Sequence, residues 1–159
     1  IMLSDADLIW KTDFVIAHTA CLARSLKHCT GRDLLPDIRD ANELAKKVFA
    51  APFVLVSHGT EFDPILNYGN RAALELWKMS WDELTQTPSR FTAEAPNREE
   101  RARLLAEVTR QGFIDNYSGV RISKSGQRFR IARAIVWNLI AENGEPCGQA
   151  AMFDTWEFI

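Results

Sequence analysis

The stretch DPILNYGNRAALELW, Asp63 to Trp77, decides how the rest of the chain is read. Ile65 to Tyr68 has the apolar texture of a short strand. Gly69 permits a sharp bend, and Asn70 is the residue type that accepts from the unpaired N–H groups of a helix N-terminus. RAALELW then follows as an amphipathic helix. A strand, a stop and a helix within so few residues make this junction first a folding device.

Working upstream, FVLVSHG is β-branched and apolar, and GTEFDP is turn chemistry, so the two strands form a hairpin. Before Pro52 the texture is helical. Ser4 with Asp7 has the pattern of a capped start, and Leu8, Val15, Leu22, Leu26 and Cys29 form a stripe that Gly31 ends. Asp40 with Glu43 repeats the capping pattern for a second short helix. Downstream, Ser80 with Glu83 opens a short helix. TQTPSRFTAEAP reads as a loop with one helical turn, and Asn97 with Glu100 opens a long helix closed by Gly112. FIDNYSGVRI, RFRIARAIVWNLIAE and CGQAAMFDTWEFI are strands joined by short turns, an antiparallel meander. Phe129, Ile131, Ile135, Trp137 and Leu139 alternate and are expected on one face.

The 159 residues suit one domain with an added terminal element. Apolar residues are 47% and charged residues 25% of the chain, enough for a core, and no apolar run reaches the roughly 18 residues a membrane span needs. A net charge of −2 without a basic stripe argues against nucleic acid as a partner. Cys21, Cys29 and Cys147 are odd in number, widely spaced and without a CxxC pair. They read as small apolar residues in a reducing cytoplasm, with no zinc site.

The order of strand, strand, short helices, longer helix and three strands is that of the PAS fold. More narrowly, VSHGTEFDPILNYGNRAALELW, PSRFTAE, REERARLL, DNYSGVRISKSGQRF and GQAAMF resemble the MEKHLA domain, a PAS-related family. That domain ends the plant class III homeodomain–leucine zipper proteins and occurs in short bacterial and algal proteins. Neither homeodomain nor zipper falls within these residues, so DNA binding is not implied. The resemblance implies an α+β fold, a five-stranded antiparallel sheet with helices on one face, from residue 52 to 159, preceded by a helical extension over 1–51. The last third also resembles light-oxygen-voltage domains, the flavin-binding branch of PAS. There Ser89 stands where the adduct-forming cysteine would be, while Asn116, Tyr117, Asn138 and Gln149 fit the remaining pattern.

The candidate ligand-binding residues are His58, Asn67, Tyr68, Ser89, Arg90, Trp137, Asn138 and Gln149. Each has a structural alternative. Of Asn67 and Tyr68, alternation turns one inward, where an amide needs a partner. Arg90 could clamp an anion with its forked donors or pair with Asp63 or Glu94. Trp137 suits a core as well as a ligand platform. Asn138 and Gln149 could read a polar ligand edge or pair with each other across strands. Arg121 and Arg133, within strands, are expected at solvent. No catalytic or metal-binding set is evident, and no cofactor is specified.

The expected function is sensing: a small-molecule ligand or partner protein shifts two packings of helices over the sheet, without catalysis. The long first helix is the expected dimer or output element. The alternatives are a flavin photosensor lacking the adduct cysteine, and a small enzyme using His58 and Asp63.

Overall fold

The computed structural model describes residues 8–159. Helices α1 (Asp13–Thr30) and α2 (Ala41–Phe49) precede strands β1 (Val54–His58) and β2 (Leu66–Gly69). Helices α3 (Arg71–Trp77) and α4 (Trp81–Leu84), a 3₁₀ turn (Ser89–Thr92) and helix α5 (Ala95–Gln111) come next. The chain ends in β3 (Phe113–Ile122), β4 (Arg128–Ile140), β5 (Pro146–Phe153) and β6 (Thr155–Phe158). All pairings are antiparallel, in the order β2-β1-β5-β4-β3. β6 lies along β4 in the register β5 began, so it continues β5 past a break at Asp154. The five-stranded antiparallel sheet expected from the sequence is therefore present.

Local chemistry sets most element ends. Asp40, Asn70 and Ser80 each accept from the helix they open, and Ser80 with Glu83 completes a capping box. Gly31 ends α1 in the left-handed region, at φ 77°. The capping start expected at Ser4 lies outside the described residues. Within them, Thr12 caps α1 and Leu8 is exposed, so the stripe begins at Val15. α5 begins at Ala95, earlier than expected from Asn97, with Pro96 in its first turn, where a missing N–H costs nothing.

Asn70 does more than cap. Its Oδ1 accepts from the backbone N–H of Ala73 and of Leu55, and its Nδ2 donates to the carbonyls of Val48 and Phe53. One fully buried amide thus ties α3 to β1 and to the end of α2.

Helices cover both faces of the sheet. On one face Val15, Leu22 and Leu26 of α1 and Val48 of α2 pack on Leu55, Tyr68, Ile135, Trp137 and Leu139. Fully burying such side chains stabilises by about 1.5–3 kcal/mol each. The stripe that suggested a dimer or output role for α1 therefore serves the chain's own core. On the other face α3 and α5 bring Leu76, Trp77, Leu104 and Val108 against Val54, Phe129, Ile131, Val136 and Phe153.

The expected alternation along β4 holds only in halves. Phe129 and Ile131 join the α3 cluster, whereas Ile135, Trp137 and Leu139 join the α1 cluster. Between them Arg133 is left-handed, φ 54°, opposite the break at Asp154. One residue out of the extended region inverts the parity that follows, so both halves of β4 bury apolar side chains, on opposite faces.

Candidate functional site

Between the sheet and α5 lies a cavity of about 50 Å³. Its apolar wall includes Val56, Leu104, Leu105, Val136, Ala151 and Phe153. Its polar lining includes Ser57, His58, Thr92, Arg101, Tyr117, Arg121 and Gln149. β1 delivers His58 at its last residue, β5 delivers Gln149 as its cross-strand partner, and α5 delivers Arg101 from above. An open groove along Gly59, Gly112, Asn138 and Gly148 shares His58 and Gln149 with the cavity, so these two side chains stand between cavity and outside.

His58 is buried, and its Nδ1 lies 3.1 Å from the Gly59 carbonyl, which can only accept. Nδ1 therefore carries the proton, and Nε2 presents a lone pair with no partner among the described residues. Burial holds the imidazole down at about 4, and the charge on Arg101 pushes the same way, so His58 is neutral at pH 7. Gln149 makes no hydrogen bond to that Nε2. Its Nε2 instead shares its two hydrogens among the Leu105 carbonyl, Thr109 Oγ and Asn138 Oδ1, all within 3.1 Å.

The cations are unusual. Burial, and the neighbouring Arg121, push the Arg101 guanidinium down to about 10, leaving it charged at neutral pH. Arg121 is 6% exposed and donates to the Val120 carbonyl and the Tyr117 hydroxyl. That hydroxyl donates in turn to Glu100. Among the described residues neither arginine forms an ion pair. Trp77, another lining residue, has a buried Nε1–H without a partner among the described residues.

Of the candidate residues, only His58 and Gln149 line this cavity. Asn138 lines the groove and donates to the Val108 carbonyl, tying β4 to the end of α5. Tyr68 and Trp137 lie in the core under α1, and Asn67 accepts from Ser57 Oγ at a bulge in the hairpin. Ser89 is buried, its N–H donating to the Pro64 carbonyl. Arg90 sits in solvent on Asp63 at 3.1 Å, stacked on Phe91. His58 and Asp63, the pair of the enzyme alternative, thus hold separate partners.

Arg121, expected at solvent, is buried, and Arg101 was not among the candidates. Both carry a readable signal. Arg101 stands three, four and seven residues before Leu104, Leu105 and Val108, on the inward stripe of α5. Tyr117 and Arg121 share strand parity on a segment whose Gly119 leaves them room: a Cβ there would meet Tyr117 and Arg121.

The sequence model of the MEKHLA domain family matches residues 16–158. The chain belongs to the MEKHLA domain family. This MEKHLA domain is 22% identical over 120 residues to the homeobox-leucine zipper protein HOX10 of Oryza sativa subsp. indica. The match takes up 76% of this chain and 14% of that protein, so the chain spans about a seventh of the length of the curated relative. Among solved structures it is similar to the PAS domain of a protein from Colwellia psychrerythraea, with a TM-score of 0.59 and 17% identity. That alignment covers 76% of this chain and 98% of that one. A light-oxygen-voltage domain studied with a flavin analogue aligns at a TM-score of 0.57 and 14% identity, over 74% and 84% of the two chains. The light-state dimer of the fungal blue-light photoreceptor Vivid aligns at 0.55 and 15%, over 81% and 88%. These likenesses establish a PAS-like fold for the MEKHLA domain. Its match begins at Ile16, inside α1, so the helices that cover the outer face fall within the family's span.

Proposed function

We propose that the chain is a non-catalytic sensory module whose cavity takes a small molecule and biases how α5 packs on the sheet. The supporting observation is the set of polar groups there: His58 Nε2 and Trp77 Nε1, without partners among the described residues, and two guanidiniums that no carboxylate among those residues pairs. Most buried polar groups are partnered, and the exceptions among the described residues are these two and, in the core under α1, Tyr68 Oη and Trp137 Nε1. Residues 52–159 act as the sensing unit and 1–51 as its extension, in a reducing cytoplasm that leaves the cysteines free. Native mass spectrometry and thermal-shift screening of fresh protein test this reading. Expected is at least one small molecule that binds wild type and is lost in Ala151→Leu, which fills the cavity. Binding unaffected by that substitution, or none at all, overturns it.

The flavin alternative has less support. A cavity of about 50 Å³ holds a few waters and does not admit three fused rings while α5 stays on the sheet. Ser89 bears no thiol. Purified protein is expected to be colourless and not reconstituted by added flavin.

A homodimer through α1 would use Phe14, exposed in its first turn, and Leu8 just ahead of it, because the remaining stripe faces the sheet. The structural neighbour Vivid forms a dimer in its light state. Phe14→Glu is expected to give monomers by light scattering without unfolding; a wild-type monomer overturns this element alone.

A further inference from the structure

We infer that the ligand of this cavity is a small oxyanion, a carboxylate of a few heavy atoms, held by Arg101 and Arg121. The inference rests on the cavity being a ligand site, as proposed above, and adds its chemistry. Two guanidiniums face one cavity, Arg101 pressed in from α5 and Arg121 from β3. Leaving a buried cation such as Arg121 uncompensated is strongly destabilising, so a protein ordinarily supplies an acid, and the half-buried Arg101 beside it adds a second positive charge. Here Glu100 takes the Tyr117 hydroxyl and is linked to Arg121 through it, without an ion pair of its own to either arginine. Glu61 is exposed and bonded to the Ile65 N–H. His58 is neutral, and Gln149 directs its donors at α5 and Asn138. The lining is therefore net positive, with forked donors matched to the two oxygens of a carboxylate.

Size and the remaining groups narrow the class. About 50 Å³ of space for water centres corresponds to roughly three or four waters, the bulk of an acid of one to four carbons or an inorganic oxyanion. Trp77 Nε1–H offers a further donor, while the lone pair on His58 Nε2 asks for one. A short hydroxy acid meets both, its carboxylate on the arginines and its hydroxyl donating to His58.

The test uses the full chain labelled with ¹⁵N, titrated at constant ionic strength with acetate, glycolate, nitrate and phosphate, and with acetamide and glycolamide as neutral isosteres. The readouts are the arginine Nε–H resonances and the melting temperature. Expected is saturable binding of a carboxylate, glycolate tighter than acetate, with Arg Nε–H shifts and no response to the amides. Arg101→Gln should weaken binding at least tenfold, Arg101→Lys less, and Arg101→Gln should melt no lower than wild type without anion. Equal response to acid and amide, lost in Ala151→Leu, would overturn the anion class while the sensory reading stands. No saturable response to any probe would overturn both, leaving the guanidiniums solvated by water alone. Arg101→Gln that melts lower yet binds glycolate as wild type does would overturn the role of Arg101.

Discussion

His18 Nε2 of α1 lies 2.8 Å from Ser57 Oγ of β1, fastening the outer helix to the middle of the sheet. Ser57 donates onward to Asn67 Oδ1 at 2.6 Å, so its free lone pair accepts from a neutral His18. Burial holds His18 down at about 4, as it does His58.

A pH dependence follows. Both imidazoles are neutral in the native state, whereas in the unfolded chain they protonate below about 6.5. The unfolded state binds more protons between those limits, so stability is full above about pH 6.5 and falls as pH drops toward about 4. Each shift is worth at most on the order of 3 kcal/mol. Urea unfolding across pH 4.5–7.5 should show the decline. His18→Gln, which keeps a donor for Ser57, should flatten it while carboxylate titrations continue. An unchanged slope would show that His18 does not contribute.

Asn70 separates a cap from a hub. Asp serves a helix N-terminus as well as Asn does, so a cap alone predicts that Asn70→Asp is nearly neutral. The two carbonyls that Nδ2 satisfies predict the opposite, because a carboxylate cannot donate to Val48 or Phe53. Asn70→Asp and Asn70→Ala are both expected to cost about 3 kcal/mol or more in denaturant unfolding. A loss below about 1 kcal/mol for Asp would reduce the residue to a cap.

The same residue marks how far the sequence could be read. Its capping role is local, set by Gly69, Asn70 and the apolar run behind them, and strands and caps elsewhere were legible for the same reason. Which face a side chain occupies was not. Trp137 falls under α1 rather than in the cavity because the left-handed Arg133 shifts parity, while a bulge after Ser57 puts Leu66 and not Asn67 opposite His58. Both shifts answer to the partner strand, which one strand's pattern does not show. Arg101 and Arg121 escaped because a charge reads as solvent-facing until its neighbours along the helix or strand are counted. Arg90 looked equally suited to an anion and instead pairs with Asp63 at the surface.

Arg133 offers a test of the parity switch. A left-handed residue with a side chain costs roughly 1 kcal/mol, which glycine avoids. Its guanidinium contributes only an exposed bond to Thr155 Oγ. Arg133→Gly should therefore unfold at equal or higher denaturant, by up to about 1 kcal/mol. Arg133→Val should lose about 1–2 kcal/mol, since a β-branched residue resists that conformation. The reverse order would mean that the turn in β4 is held by the arginine side chain itself.

The thiols of Cys21 on α1 and Cys147 on β5 lie 3.7 Å apart, although 126 positions separate them in sequence. Spacing along the chain offered no hint of this, since the sheet brings them together. A disulfide needs the sulfurs to close to about 2.05 Å, a movement within reach of rotamer adjustment. Burial and the adjacent Cys21 push the Cys147 thiol up to about 11, so the thiolate is scarce at neutral pH. Diamide, which takes up two electrons and two protons as the S–S bond forms, should lower the titratable thiols from three to one, leaving Cys29. The rate should climb from pH 7 to pH 9 as thiolate increases. Cys147→Ser should abolish the intramolecular product, and the oxidised wild type should melt higher because a long loop is closed. Three titratable thiols remaining in the folded protein after diamide at pH 9 would show that α1 and β5 do not approach in solution as the structure has them.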